Sequence, residues 1–384
     1  QSAAASTSED RRRSAETPLR GQGSWKAWRE IEVAAKGNAW VEFKPDEAGA
    51  WVRLKASRDC GKATAFFHFS NADRRGTKPA TMFAGLAKPG DKAVSGGLLY
   101  ARGANLRTLR FAAETRGAAT SGESCYDLDA NLTLRRTDDS AGLVWMRKNL
   151  AIPTGVISAD AASVLYVDEQ GRRWRLPKGD AAFDGPGLLG DERVAREVCT
   201  ERDLLNVHGT FYELPAENAG GFTKVRPIAT HNRRIKDYAS WRGLLVMSGV
   251  AADAPKDNPH LIRSDDGQCA LWVGAVDDLW QFGKPRGQGG PWKDTAVKAG
   301  EPGDAYLMTG YDQKRLVLAH AATVPITFRV EADFTGTGTW AVYRELTVPP
   351  GVAQEHRFPD SFAAYWVRLR AGTDCQASAT FHYE

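Results

Sequence analysis

Few features in this chain announce a function. Its five cysteines, Cys60, Cys125, Cys199, Cys269 and Cys375, are odd in number and none stands in a CxxC pair. Neither a disulfide framework nor a zinc site is expected from them, and a single disulfide is left open. No apolar run approaches membrane-spanning length. An excess of charge of one sign is nearly absent: 51 Lys and Arg face 47 Asp and Glu, and the net charge of +4 over 384 residues is too weak and dispersed to draw nucleic acid. The glycines after Arg286 are not followed by GK[ST], so no phosphate-binding loop is read there. No signal peptide is visible. The opening QSAAASTSEDRRRSAE is polar, and residues 1–20 are read as a disordered lead. That start fits a secreted or periplasmic chain after cleavage, and equally a piece of a longer protein.

What is present is aromatic and β-like. Hydrophobic residues make up 42% of the chain, enough for a core, and twelve are Trp. Trp can fill a core or stack on sugars at a surface. The strongest internal signal is a repeat. Residues from Gly21, with Trp25, Arg29-Glu30, Phe43, Pro45-Asp46, Trp51-Val52-Arg53-Leu54, Asp59-Cys60 and His68, recur near the C-terminus. The counterparts are Trp340, Arg344-Glu345, Phe358, Pro359-Asp360, Trp366-Val367-Arg368-Leu369, Asp374-Cys375 and His382. Each copy alternates apolar and polar residues in short runs bounded by Gly, Pro and Asp, the pattern of antiparallel strands. WVRL and ATAFFHF are expected to pair across strands. The matched Cys and His are read as structural.

A weaker likeness joins residues 95–114 to residues 303–322, each read as strand, tight turn, strand. Further β-pairs lie between them: 125–136, a hairpin over 162–177 turning at Gly171, and another over 260–276 turning at Gly267. Two helices are expected, Ser140–Leu150 with Ser140 as N-cap and Asp191–Cys199. The spacing of the β-pairs, about forty to sixty residues, is that of propeller blades. The fold class is therefore all-β: a β-propeller-like core over 88–333, with copies of a small antiparallel β-unit at 21–70 and 334–384. A pair of β-sandwiches is the alternative.

The stretch from Asn206 to Val246 gathers His208, Tyr212, His231, Tyr238 and four arginines. If Val207–Leu214 is a strand, His208 and Tyr212 share a face, and His231 lies on a neighbouring strand. Imidazole exchanges protons near neutral pH, and tyrosine can protonate a leaving oxygen. Arg233, Arg234 and Arg242 could grip a carboxylate or sulfate with paired hydrogen bonds. These groups suit removal of the proton beside a uronate carboxylate, followed by β-elimination. A second constellation, Asp277–Trp292, offers Trp280, Lys284, Arg286 and Trp292 as a basic-aromatic loop able to hold an acidic sugar. The bland reading is that these histidines are structural and the arginines line a solvated rim.

This arrangement resembles the β-propeller polysaccharide lyases, the group of the ulvan and rhamnose–glucuronate lyases. The resemblance implies proton transfer by His208 with Tyr212 or Tyr238. It implies charge neutralisation by His231 with Arg286, Arg233 or Arg234. No single Tyr and Arg follow His231 in that group's order. The HGTFYELP and WVR-DC stretches also look like those of uncharacterised bacterial propeller proteins. The expected function is a secreted enzyme acting on an acidic, uronate-containing polysaccharide, favoured as a carbon–oxygen lyase. The alternatives are a non-catalytic glycan- or protein-binding propeller and a fragment of a larger enzyme. No cofactor or catalytic metal is expected. The acidic turn Asp265-Asp266 leaves a structural Ca²⁺ open, without the ligand spacing of a known loop.

Overall fold

The structure, a computed structural model, describes residues 2–7, 11–17 and 25–384, apart from 36, 45, 48, 70, 71, 103–106, 118–120, 200, 201 and 361. For 2–7, 11–17, 199 and 202 only the backbone is described. The chain forms two compact units, one of residues 1–72 with 294–379 and one of residues 73–293 with 380–384.

The chain is all-β, with several sheets and a small helical share. Among the described residues no sheet closes into a barrel, and no helix is long and apolar enough to cross a membrane. The first strands are β1 (Ser2–Thr7), β2 (Arg11–Thr17), β3 (Lys26–Val33), β4 (Asn38–Glu42), β5 (Arg53–Ala56) and β6 (Ala63–His68). They form two three-stranded sheets, in the orders β4-β1-β6 and β3-β2-β5. The stretch read as a disordered lead thus carries β1 and β2, whereas residues 8–10 and 18–20 lie outside the described residues. The expected pairing of WVRL with ATAFFHF does not form, because β5 and β6 belong to opposite sheets. Each pairs instead with one of the two strands at the start of the chain.

The central unit opens with a meander of β7 (Val94–Arg102), β8 (Thr108–Arg116), β9 (Gly122–Leu128) and β10 (Leu134–Thr137). Helix α1 (Ser140–Asn149) follows where a helix was expected. Its N-cap is Asp139 rather than Ser140, since the Asp139 carboxylate accepts from the Gly142 N–H at 2.7 Å. The same carboxylate is bound by Arg110. Next come β11 (Ile157–Ala159), β12 (Val164–Val167) and β13 (Arg173–Leu176), the last two turning at Gly171 as expected.

A second meander holds β14 (Ala195–Cys199), β15 (Arg202–Val207), β16 (Thr210–Pro215) and β17 (Arg226–Thr230). The helix expected over Asp191–Cys199 is therefore absent, and its second half is the strand β14. Its small apolar set fits either period, and pairing with β15 decides the outcome. The next sheet joins β18 (Asp237–Trp241), β19 (Leu244–Ser248), β22 (Ala270–Gly274) and β21 (Leu261–Arg263), in that order, while β20 (Val250–Ala251) pairs with β7. Two apolar layers pack these sheets. One, with Phe83, Phe211, Tyr238, Trp272 and Phe282, includes residues of β16 and β22. The other, with Leu99, Phe111, Tyr126, Trp241 and Leu271, includes residues of β7, β8 and β22. Each buried aromatic or aliphatic side chain here contributes about 1.5–3 kcal/mol.

The chain ends through β23 (Gly287–Val297), β24 (Ala305–Leu307), β25 (Lys314–His320), β26 (Ile326–Asp333), β27 (Trp340–Val348), β28 (Gln354–Arg357), β29 (Trp366–Ala371) and β30 (Cys375–Tyr383). The segment 303–322 is no hairpin, because β24 pairs with β29 and β25 with β28. Strands β25 to β30 repeat the plan of β1 to β6. Their sheets contain the orders β28-β25-β30 and β27-β26-β29. The match extends to a bulge: Trp28 in β3 is the extra residue opposite Ala15-Glu16 of β2, and Tyr343 in β27 the extra residue opposite Val330-Glu331 of β26. It extends to side chains as well. Arg53 lies over Trp25 at 4.0 Å and Arg368 over Trp340 at 4.2 Å. Trp28 stacks on Phe43 and Tyr343 on Phe358.

Candidate functional site

His208 does not lie on a strand. It occupies the two-residue turn between β15 and β16, closed by the pair Val207 and Thr210. Both turn residues have positive φ, 51° at His208 and 75° at Gly209. The twist of an antiparallel hairpin favours this kind of turn, and glycine meets it without strain. A Cβ at Gly209 would also crowd the Phe183 ring and Asn232 Oδ1, each 3.0 Å away. His208 therefore does not share a strand face with Tyr212.

The turn delivers the imidazole into a network. Nδ1 accepts from the Gly179 N–H at 3.0 Å, which leaves the ring proton on Nε2, and Nε2 donates to Asp184 Oδ1 at 3.0 Å. Lys178 Nζ reaches the same carboxylate oxygen at 2.5 Å. Burial pulls the His208 pKa down, against the opposing pull of Asp184. Burial works the other way on Asp184, but the hydrogen bonds from Lys178 and His208 outweigh it and hold that carboxyl below its usual range.

Around this network lies a cleft of about 210 Å³, lined among others by Phe183, Asp184, Glu192, Asn206, His208 and Arg234. Burial pushes the Glu192 carboxyl up to about 7, although Arg234 pulls in the opposite direction. Arg234 Nη1 donates to Glu192 Oε1 at 3.2 Å. Its Nη2 donates to the carbonyls of Ala182 and Gly185, and its guanidinium lies 4.3 Å from the centre of the Phe183 ring. A second lobe, of about 260 Å³, adjoins the first across Pro186, Gly190, Glu192 and Arg234. It adds Lys88, Asp91, Lys92 and Lys236. Lys236 Nζ ties down the intervening loop through the carbonyls of Leu189 and Asp191, at 2.5 and 2.6 Å.

His231 follows β17, next to the His208 turn: its N–H donates to Gly209 O at 2.8 Å. The two residues are thus neighbours at one end of the sheet, with separately held rings. His231 is buried, stacks on Phe282, accepts from the Arg233 N–H and donates to Asn206 Oδ1. Burial pushes its pKa down to about 3, so the ring is neutral. Tyr212 is fully buried. Tyr238 is too, and its hydroxyl faces the carbonyls of Leu204 and Val194, at 2.8 and 3.1 Å. Its pKa is driven far up by burial.

The remaining expected residues scatter. Arg242 sits at positive φ in the turn between β18 and β19, beside the Trp241 ring. Burial lowers the Arg233 pKa against the pull of Asp91. Trp280 is 54% exposed, with one face covered by Arg75, which Asp73 holds at 2.7 Å. Lys284 donates its backbone N–H to Gly76 O, and its charge helps to lower the Asp73 pKa. The Arg286 backbone is bound by the Thr230 hydroxyl, and Trp292 is buried. Of all the expected site residues, the first lobe includes His208 and Arg234 alone. Its acids, Asp184, Asp191 and Glu192, flank the loop Gly185–Gly190, which the sequence presents only as a Gly-rich separator.

No family model matches this chain, and no curated protein matches it. The resemblance to polysaccharide lyases therefore has no support from a family or a curated sequence. Among solved structures, the crystal structure of PirA aligns with 24% of this chain and 92% of its own, at 16% identity and a TM-score of 0.19. A likeness of that size carries neither a fold nor an activity.

Proposed function

We propose that this protein is a binding protein for an acidic saccharide, with the two-lobed cleft as its site and the central meanders as blades of a propeller-like scaffold. A role outside the cytoplasm goes with this reading. The observation that carries it is the balance of charge in the second lobe. Four cations, Lys88, Lys92, Arg234 and Lys236, face two acids, Asp91 and Glu192. A ligand carboxylate or sulfate entering there is attracted, and the aliphatic wall of Ala87, Pro89, Leu188 and Leu189 offers an apolar face to a sugar ring. The committed imidazoles favour binding over proton transfer: both nitrogens of His208 and both of His231 already have protein partners.

A second reading, elimination from a uronate polymer, is favoured by Glu192. A carboxyl that titrates near 7 beside an arginine in a cleft is poised to act as a base. One experiment separates the two readings. The protein is titrated calorimetrically with a panel of uronate and sulfated oligosaccharides, while absorbance is followed in the ultraviolet band of an unsaturated uronate. Binding that Lys88→Ala with Lys92→Ala abolishes, without any rise in absorbance, supports the binding protein. A rise that Glu192→Gln removes while binding survives supports the lyase. Neither binding nor absorbance change with any acidic glycan removes both.

A further inference from the structure

The two copies of the β-unit differ at one sheet edge. In the C-terminal copy, β29 is covered on its outer side by β24, with Tyr306 opposite Val367 and Leu307 opposite Trp366. The chain on either side of β24 extends the ladder. Gly300 N–H donates to Ala371 O, Gly303 N–H to Leu369 O and Met308 N–H to Tyr365 O, at 2.8, 2.8 and 2.9 Å. Arg370 reaches back to the Gly300 carbonyl. Beneath this added strand Trp366 is fully buried.

In the N-terminal copy the corresponding sheet, among the described residues, ends at β5. Its pairing with β2 places Arg53 opposite Glu16, as Arg368 stands opposite Glu331, so the two edges share one register. Ala56 and Leu54 take the places of Ala371 and Leu369, and their main-chain groups face outward from β2. Trp51 takes the place of Trp366 and is 67% exposed. The same sequence element therefore carries a covered tryptophan in one copy and a bare one in the other.

The internal strand also shows what fits. Residues 299–307, AGEPGDAYL, combine two acids, Glu301 and Asp304, with an apolar Tyr-Leu pair. Charge at this edge is mostly basic: Arg53 and Lys55 lie on β5, and Arg58 and Lys62 follow it with one acid, Asp59, between them. Two β5 edges brought together would set like charges close to one another, as lysine on edge strands does to deter self-pairing. We infer that the β5 edge, with Trp51 at its mouth, is a docking site for an extended acidic peptide of a partner protein, which adds to the sheet as a strand.

The test uses the full chain and a fluorescein-labelled peptide of residues 297–309, VKAGEPGDAYLMT, read by fluorescence anisotropy. Saturable binding is expected. Trp51→Ala should weaken it about tenfold or more, the effect of losing roughly 1.4 kcal/mol. Ala56→Pro, which removes an outward N–H and leaves the ladder to β2, should abolish it. A peptide with Glu301→Lys and Asp304→Lys should not bind. Should Ala56→Pro fail to fold by circular dichroism, Trp51→Ala and the charge-reversed peptide decide the matter. Absence of saturable binding overturns the inference, as does binding that both variants leave unchanged. A dimer that Trp51→Ala or Ala56→Pro converts to monomer also overturns it, since the edge would then belong to a second copy of this chain.

Discussion

Glu192 gives the sharpest handle on the cleft. Its carboxyl is moved from 4.5 to about 7 by burial, with Arg234 in opposition. A displacement of that size corresponds to about 3 kcal/mol, at 1.36 kcal/mol per pH unit. The direction follows from proton counting. Between pH 4.5 and 7 the folded protein holds a proton that the unfolded chain has released, so stability falls as pH rises through that window. Above pH 7 the folded state bears the full cost of the buried charge, less what Arg234 returns. Urea unfolding of wild type and Glu192→Gln at pH 4 and pH 8 isolates this effect. The other carboxylates titrate in both proteins and cancel in the double difference. Wild type should lose about 3 kcal/mol more than the variant between the two pH values. Parallel losses, within about 0.5 kcal/mol, would show that Glu192 titrates normally and would remove the case for it as a base.

Two further predictions concern buried charge. Asp237 is fully buried and accepts from Arg193 Nε at 2.5 Å, Arg196 Nη1 at 2.9 Å and the Leu99 N–H at 2.9 Å, tying β18 to β7 and to the approach to β14. Asp237→Ala removes the charged acceptor of two guanidinium groups and of two amides, those of Leu99 and Tyr238, and should cost about 3–5 kcal/mol in chemical denaturation; a loss under about 1 kcal/mol would refute that role. Lys314 is buried with its ammonium on the carbonyls of Tyr311 and Phe362, and burial pushes its pKa down to about 8. The unfolded chain binds the extra proton between about pH 8 and 10.5, so wild-type stability should rise across that range, and Lys314→Met should lack the rise in melts from pH 8 to 10.

The sequence carried the repeat well, for a physical reason. Trp25, Arg53, Phe43 and their counterparts make the same contacts in both copies, so the same residue types had to recur at the same spacing. The two strands that complete each copy were not legible as part of the repeat. The polar RRRSAET and the apolar ITFRVEAD share little beyond Glu16 and Glu331, yet both run through the middle of a three-strand set and face a bulge at the same place in the neighbouring strand. Main-chain pairing, which no side-chain pattern reports, makes them equivalent. The strand at Ala195–Cys199 was hidden by composition, since Ala, Arg, Glu and Val suit a helix until β15 claims the backbone. His208 was misplaced because His-Gly was not read as a turn pair, though the alternation around it was sound.

The concentration of titratable side chains between Asn206 and Val246 has a structural explanation that bears on the functional reading. This stretch crosses the end of a sheet where several loops meet, and the main-chain amides around it need acceptors. His208 Nδ1 serves the amide of Gly179, His231 Nδ1 that of Arg233, and Asp237 that of Leu99, while Arg234 and Lys236 serve the carbonyls of the loop beside the cleft. Each such bond fixes one ring nitrogen as an acceptor and directs the other at a chosen partner, Asp184 for His208 and Asn206 for His231. A histidine used in this way gives up the freedom to exchange protons with a ligand. The groups that keep that freedom come from the less conspicuous loop opposite, where Glu192 is desolvated without being fully neutralised. On this reading the His-rich strands are the support that holds the loop in place, and the chemistry of the cleft is set by the loop they hold.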